Sequence, residues 1–336
     1  MSGGARARGR AGLRYARCVS HGLELGLVLP TWTTGALRWG DVLDIAREAE
    51  SSGFDALWVT DHLLLPSTNA ELRARAGGAV HPDAVAEHEG YLECFSVIGA
   101  LAAAVPRLRL GTLVACTGYR NPFLLAKIAE TLDEISGGRL VLGVGAGDSA
   151  GEHETMGLPT DSPVGRFEES LEILDALLRR GRADHRGRFY RAEGAVLVPR
   201  GPRPAGPPIL IGTLNPRPRM RRLVARYADV WNGWLAYTDA SAEAARAQID
   251  QILAGCREHG RDPATLTLTT AVRVNVPGSG YRPAPGERPL SGSPAEMADV
   301  LRAHAELGVE QVQIALTMGG REGVRAFAPV IRELRG

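Results

Sequence analysis

The sequence has little cysteine, little net charge and no long apolar run. Its four cysteines, at positions 18, 94, 116 and 256, form no CxxC pair, which favours a reducing compartment over a zinc site or a disulfide framework. The net charge of +1 gives no general reason to expect nucleic acid or a membrane as a partner. The longest apolar run, around residues 95–105, is too short to span a bilayer. We therefore expect a cytoplasmic protein.

Length and composition favour one domain after a short basic tail. Residues 1–21 are basic and glycine-rich but contain no apolar core, so we expect a disordered tail or an overlong start, not a signal peptide. With 44% hydrophobic and 23% charged residues, the chain has the composition of a globular protein. A total of 336 residues is normal for a single α/β barrel with insertions, which we place at residues 22–336.

Apolar strand-like runs alternate with amphipathic helix-like segments along the whole chain. The predicted strands are 22–30, 54–60, 108–114, 140–144, 209–212, 228–232, 266–274 and 311–317. Eight strands that alternate with eight helices, without a break in composition, predict a (β/α)8 TIM barrel, with a doubly wound sheet and a cap as the alternative. Irregular segments at 63–90 and 276–290 are predicted insertion loops at the carboxyl ends of the strands.

The segment 107–154 contains the most informative βαβ unit. Asn121 and Pro122 have the pattern of a helix N-cap followed by proline in the first turn. Gly137 and Gly138 end that helix, and the strand after them is apolar throughout, as expected for a strand covered on both faces. In such folds the ligands bind at the carboxyl ends of the strands.

Those strand ends carry two groups of interest. Asp61 and His62 follow the second strand; an imidazole there can exchange protons near neutral pH, the alternative being that the pair only caps the strand. The sequence 145–150 matches GxGxxA, but prolines 159 and 163 predict that the next helix starts too late for a dinucleotide fingerprint. We therefore interpret these glycines as letting the backbone lie against a flat ring.

A third group follows the fifth strand. Gly212, Thr213 and Asn215 precede a helix that carries several arginines, and helix N-terminal amides with guanidinium groups favour an anion such as phosphate. The alternative is a solvated basic helix face. The histidines show no spacing typical of a metal site, so no metal is expected.

Several motifs together resemble one family. They are DALWVTDH, RLRLGTLVACTGYRNPFLLAK, LDEISGGRLVLGVGAGD, ILIG followed by RLVARYADVWN, and AELGVEQVQ. The chain after residue 21 resembles the bacterial-luciferase-like flavin and deazaflavin oxidoreductases. That resemblance implies a (β/α)8 barrel with a reduced flavin or coenzyme F420 in its mouth, and the Asp-His pair is similar to the F420-dependent branch.

The resemblance also implies roles for particular residues. His62 would be the proton donor, and residues 112–115 would contain a non-proline cis peptide bond beside the ring. Asp148 stands where sugar-phosphate dehydrogenases of this branch have a catalytic glutamate, and Gly151 stands where they have an asparagine, which argues against sugar-phosphate oxidation. The implied cofactor-binding residues are Asp61, Thr112, Leu113, Val114, Ala115, Gly145, Ala146, Gly147, Gly212, Thr213 and Asn215.

Three functions are compatible with this sequence. The first is an F420-dependent oxidoreductase that transfers a hydride between reduced deazaflavin and a small organic substrate, with His62 and Asp148 as the catalytic residues. The second is an FMN-dependent monooxygenase that uses O2 and receives reduced flavin from a partner reductase. The third is a flavin-binding barrel without catalysis. A homodimer is compatible with each of them.

Overall fold

A closed barrel of eight parallel strands forms the centre of the molecule. The computed structural model describes residues 22–33, 38–66 and 88–336. The barrel strands are β1 (Glu24–Val28), β2 (Ala56–Val59), β3 (Arg109–Thr112), β4 (Leu140–Gly145), β5 (Ile209–Thr213), β6 (Val230–Trp234), β7 (Thr267–Val274) and β8 (Val309–Leu316). Because β8 pairs with β1 and β4 pairs with β5, the sheet has no open edge. The predicted (β/α)8 barrel is confirmed, and the doubly wound alternative is wrong.

Helices connect the strands and cover the barrel. They are α1 (Trp39–Ser52), α2 (Cys94–Ala104), α3 (Pro122–Ile135), α4 (Pro163–Arg180), α5 (Pro218–Tyr227), α6 (Ala242–Glu258), α7 (Pro294–Glu306) and α8 (Gly320–Arg335). The predicted start of α3 is confirmed, since the Asn121 side chain accepts a hydrogen bond from the Phe123 amide at 2.9 Å. Within the described parts of the chain, no helix combines the length and the apolar character needed to cross a membrane.

Several connections differ from the prediction. The segment 63–90 was expected to be irregular, but Leu64–Pro66 and His88–Tyr91 pair as antiparallel strands, and Trp32–Thr33 joins them. The rest of that segment, residues 67–87, lies outside the described residues, as does the predicted tail at 1–21. After α4 the chain forms the hairpin Arg182–Arg186 and Arg191–Val196.

The interior of the barrel is filled by side chains. The Trp58 ring extends across two neighbouring strands, and a Cβ atom added at Gly26 or Gly111 would lie only 2.3 or 2.4 Å from it. The indole nitrogen of Trp58 donates to Gln311 at 2.9 Å, so the one polar atom of the ring is satisfied. Because Leu113 closes the same apolar cluster near the carboxyl ends, the space for a ligand lies above it, in the barrel mouth.

Candidate active site

The first three predicted site segments meet at one edge of the barrel mouth. Residues 61–62 follow β2, residues 113–116 follow β3, and residues 145–148 follow from the end of β4. β3 pairs in parallel with both β2 and β4, so the three strand ends lie side by side. Ala115 continues this pairing in register with Val144. The structure therefore brings together the segments that the sequence singled out.

His62 is held by a carboxylate. Its Nδ1 lies 2.8 Å from Oε2 of Glu152, and its ring centre lies 5.4 Å from that of Tyr91. The side chain of His62 is 18% exposed, whereas that of Glu152 is 1% exposed. Since an ionised carboxylate can only accept, Nδ1 carries the proton of this hydrogen bond. Nε2 is then the nitrogen with which a bound molecule can exchange a proton.

Glu152 accepts hydrogen bonds from four donors. Besides His62, these are the backbone amides of Leu63 (2.7 Å) and Leu64 (3.1 Å) and the hydroxyl of Tyr119 (2.9 Å). Burial alone raises the pKa of Glu152, but the bonds to His62 and to the two amides outweigh it, and the pKa lies below its ordinary value. Glu152 is therefore an ionised carboxylate in the folded protein.

The same pairing favours the charged form of His62. Burial by itself lowers the pKa of His62, because it disfavours the imidazolium. The hydrogen bond to Glu152 and the negative charges of Asp148, Glu152 and Asp61 act in the opposite direction and prevail, so the pKa lies above its ordinary value of 6.5. The pairing therefore widens the pH range over which His62 is protonated and can act as a proton donor.

Glu152 was missed because the structure after the glycine loop was predicted wrongly. A short helix, Ala150–Thr155, begins directly on the loop, and the Ser149 hydroxyl caps it by accepting from the Glu152 amide at 3.3 Å. The expectation of a late helix start was wrong, although the closed barrel still excludes a dinucleotide-binding sheet. Asp148, the predicted catalytic carboxylate, is half-buried and influences His62 through its charge, while the hydrogen-bonded carboxylate is Glu152.

Asp61 is buried and fully engaged by the protein itself. Arg120 binds both of its oxygens, at 2.6 and 2.9 Å, and the Cys116 amide donates to it at 2.9 Å. The Cys94 thiol lies 3.1 Å from Oδ1, and Arg120 also pairs with Glu93 at 2.8 Å. These contacts tie the end of β2 to the end of β3 and to the start of α2. In this arrangement Asp61 fixes the walls of the site.

One group among the described residues has the spacing of metal ligands. The potential ligand atoms of Asp61, Glu93 and Cys94 lie within 4.8 Å of one another. The guanidinium of Arg120 already binds both carboxylates. Burial and the neighbouring carboxylate of Asp61 raise the pKa of the Cys94 thiol well above its ordinary value, whereas a metal ligand would be a thiolate. We therefore assign this group to the framework of the site.

The end of β3 forms a raised apolar surface between two glycines. The peptide bond between Leu113 and Val114 is cis, which confirms the expectation for residues 112–115. The Val114 side chain lies against Gly145 and Gly212. A Cβ atom added at Gly145 would lie 2.8 Å from this side chain, and one added at Gly212 would lie 3.0 Å from it. Larger residues at either position would displace Val114. Thr112, just before this surface, is buried.

The glycine loop lies on a cysteine and a histidine that the sequence did not single out. Gly147 has a φ of +84°, and a Cβ atom there would lie 2.6 Å from the Cys116 sulfur. Nε2 of His153 lies 3.8 Å from that sulfur, and its Nδ1 lies 3.0 Å from the Ser149 carbonyl oxygen. Burial raises the pKa of the Cys116 thiol to about 12, so the thiol is neutral. These contacts fix the path of the loop, and Ala146 within it is half-buried.

The predicted phosphate-binding residues after β5 occupy different environments. Gly212 lies against Val114, and the buried Thr213 hydroxyl accepts a hydrogen bond from the Trp231 indole at 2.9 Å. Asn215 is exposed. Two of the following arginines are paired, since Glu168 binds Arg219 at 2.8 Å and Arg222 at 2.7 Å. This pairing supports the alternative of a solvated basic helix face.

Sequence reasoning thus missed Glu152, Cys116, Tyr119, Arg120 and His153. The YRNP motif contains Tyr119 and Arg120, but by itself it indicates only the family resemblance and the start of α3. No local sequence pattern indicates that Glu152 contacts His62, because the two residues are 90 positions apart.

Comparison with known proteins identifies the family of this chain. Residues 24–277 match the family model described as luciferase-like monooxygenase. The chain belongs to that family. The predicted family is therefore confirmed, and this luciferase-like protein can be compared with its relatives.

Two curated relatives are named as reductases. A phthiodiolone/phenolphthiodiolone dimycocerosates ketoreductase of Mycobacterium tuberculosis is 33% identical over 231 residues, which are 67% of this chain and 58% of that protein. A 5,10-methylenetetrahydromethanopterin reductase of Archaeoglobus fulgidus is 32% identical over 181 residues, 54% of this chain and 45% of that protein. This luciferase-like protein thus matches about half of the length of each.

Solved structures share the fold. A structure of an F420-dependent secondary alcohol dehydrogenase in complex with an F420–acetone adduct has a TM-score of 0.74 at 19% identity, covering 94% of this chain and 100% of that one. A monooxygenase from Streptomyces bottropensis has a TM-score of 0.73 at 19% identity, covering 93% of this chain and 98% of the other. At such identities the likeness shows the fold alone.

Proposed function

We propose that this luciferase-like protein is an F420-dependent oxidoreductase that transfers a hydride between reduced deazaflavin and a small organic substrate. The observation that carries the proposal is the His62–Glu152 pair at 2.8 Å, which orients the imidazole at the end of β2 and favours its protonated form. The reductases among the relatives support a reduction, and the F420 complex among the structural neighbours supports this choice of cofactor.

The surface at the barrel mouth supports a flat ring as the ligand. Val114 is partly exposed between Gly145 and Gly212, which carry no side chain, so an apolar surface faces the mouth. Gly147, next in the glycine loop, is exposed and would present its backbone directly to a ligand. Val114, Ala146 and Gly147 are the residues that would contact the ring, and the buried Gly145 and Ala115 would support them from below.

Proton movement is the chemical task of this chain. When bound, reduced deazaflavin supplies the hydride to a substrate carbon. His62 donates the proton from Nε2 to the substrate heteroatom bonded to that carbon, so the substrate gains two electrons and two hydrogens. Glu152 stabilises the imidazolium before the transfer and keeps the ring oriented. In the opposite direction His62 accepts the proton.

The cofactor assignment predicts a preference in binding. Titrated without oxygen, the purified protein should bind reduced F420 more tightly than reduced FMN, as measured by the change in absorbance or by calorimetry. An exchange of Val114 for aspartate, which places a charge on the apolar surface, should weaken binding of both rings. Tighter binding of FMN would contradict the proposal.

The FMN-dependent monooxygenase remains the second candidate, since a monooxygenase shares the fold with a TM-score of 0.73. In that case a partner reductase would supply the flavin, and reduced FMN with substrate would consume oxygen in the presence of the protein. A flavin-binding barrel without catalysis gives no reason for a buried carboxylate that raises the pKa of His62.

Replacing Glu152 with glutamine should shift the pH dependence of turnover. In the reducing direction His62 must be protonated, so wild-type activity should decline as the pH rises through a pKa that lies above 6.5. Without the Glu152 charge this pKa falls, so the decline should begin at lower pH, and kcat near neutral pH should drop about tenfold. The measurement is a pH–rate profile of both proteins. An unchanged alkaline limb would show that Glu152 does not act through His62.

A further inference from the structure

Arg273 lies inside the barrel mouth, on the side opposite to the apolar surface at Val114. Thr269 of β7 accepts a hydrogen bond from Asn232 at 3.1 Å, and Ala271 belongs to the apolar cluster inside the barrel. Because side chains alternate along a strand, Arg273 lies on the same inward side, at the carboxyl end of β7. Its partner in register, Ala315, also packs against the interior cluster.

Aromatic rings hold the guanidinium of Arg273. Its central carbon lies 4.5 Å from the ring centre of Tyr237 and 5.1 Å from that of Tyr281. The ring of Trp234, which packs on the interior cluster, lies 5.7 Å from Tyr237. Cation–π contacts with two rings restrict the guanidinium to one orientation. The arginine is therefore pre-organised before any ligand binds.

The polar partners of Arg273 lie on one of its edges. Nη1 donates to the Tyr281 hydroxyl at 2.6 Å and lies 3.4 Å from Oε1 of Glu287. The Tyr281 hydroxyl in turn donates to Glu287 at 2.5 Å, and the Glu287 side chain is only 1% exposed. Within the parts of the chain that the structure describes, Nε and Nη2 donate no hydrogen bond, and the Arg273 side chain is 21% exposed.

An open Nε–Nη2 edge has the geometry that a carboxylate binds through two parallel hydrogen bonds. Resting on the function proposed above, we propose that Arg273 is a specificity-determining residue that binds a carboxylate in the barrel mouth. Glu287 fixes the guanidinium and balances its charge. Selectivity for a carboxylate therefore comes from the two parallel hydrogen bonds and not from net charge. Two sources of this carboxylate are the substrate itself and the oligoglutamate tail of F420.

The first experiment needs no cofactor. Binding of 4-phenylbutanoate and of the matched alcohol 4-phenylbutanol is measured by saturation-transfer NMR on the wild-type protein and on Arg273→Met and Arg273→Lys. The wild type should prefer the carboxylate, and Arg273→Met should reduce that preference about tenfold or more. Arg273→Lys keeps the charge but lacks the fork, so it should recover only part of the preference. If Arg273→Met does not fold, the lysine variant carries this test.

A second experiment separates the two sources. F420 and its fragment without the oligoglutamate tail are titrated onto wild type and Arg273→Met. Weaker binding of F420, with no change for the fragment, assigns the carboxylate to the cofactor tail. Loss of the 4-phenylbutanoate preference, with F420 affinity unchanged, assigns it to the substrate.

The control is Arg288→Met. Arg288 is 77% exposed and pairs with Asp239. It lies in the loop after β7 that also contains Tyr281 and Glu287, so this change should leave both measurements unaltered. Equal behaviour of wild type and Arg273→Met towards the probes and towards F420 would overturn the inference and leave Arg273 as an anchor of the loop. Failure of F420 to bind at all, with the probe preference intact, would refute the proposed cofactor and not the role of Arg273.

Discussion

Replacing His62 with alanine is expected to lower kcat by about 10²–10⁴-fold, the range that a positioned general acid contributes. Glu152 cannot replace His62 as the proton donor, because its carboxylate is ionised and only accepts hydrogen bonds. Affinity for the reduced cofactor should change little, because the apolar surface at Val114 and the glycine loop stay in place. Single-turnover absorbance changes measure the chemical step, and equilibrium titration measures the affinity.

A double-mutant cycle tests whether the two residues act as one unit. If Glu152 works through His62, Glu152→Gln should add little to the defect of His62→Ala. His259→Ala is the matched control, since His259 is an exposed imidazole at the C-terminal end of α6, and it should behave like wild type. Unchanged turnover in His62→Ala would remove the assigned role. A large loss of cofactor affinity would make His62 a binding residue.

The fold could be predicted because each barrel element carries its own local pattern. The apolar run at 140–144 and the Asn121–Pro122 helix start depend on neighbours in sequence, and both were located to within a residue or two. Asp61 and His62 could be placed in the mouth because the carboxyl ends of all barrel strands lie on one face. The strands Leu64–Pro66 and His88–Tyr91 are only three and four residues long, too short for a recognisable pattern, and they were missed.

The partners of the site residues could not be predicted in the same way. Asp61 and Arg120 are 59 residues apart, and His62 and Glu152 are 90 residues apart. Such pairs form only when the barrel closes and sets the distance between loops, so no spacing in the sequence encodes them. Glu152 also depends on the short helix after the glycine loop, which two nearby prolines concealed. This is why Asp148 was selected as the catalytic carboxylate in place of Glu152.

Replacing Arg120 with methionine is expected to lower the free energy of unfolding by about 3–5 kcal/mol, the usual effect of removing one partner of a buried ion pair. The Asp61 side chain is 0% exposed, and Arg120 supplies hydrogen bonds to both of its oxygens, at 2.6 and 2.9 Å. Without them the carboxylate would keep the Cys116 amide and the Cys94 thiol as its partners. Urea-induced unfolding monitored by circular dichroism measures the loss.

The double variant Arg120→Met with Asp61→Asn distinguishes an unpaired charge from lost packing. A neutral amide removes the buried charge, so the double variant should regain a large part of the stability that Arg120→Met loses. Arg107→Met is the control, because Arg107 is 72% exposed and its pairing with Glu50 at 3.2 Å lies on the surface; it should change stability little. Equal stability of the single and the double variant would show that Arg120 supports the barrel mainly through its contact with the Phe95 ring, 4.6 Å away, and that the charge of Asp61 is tolerated without Arg120.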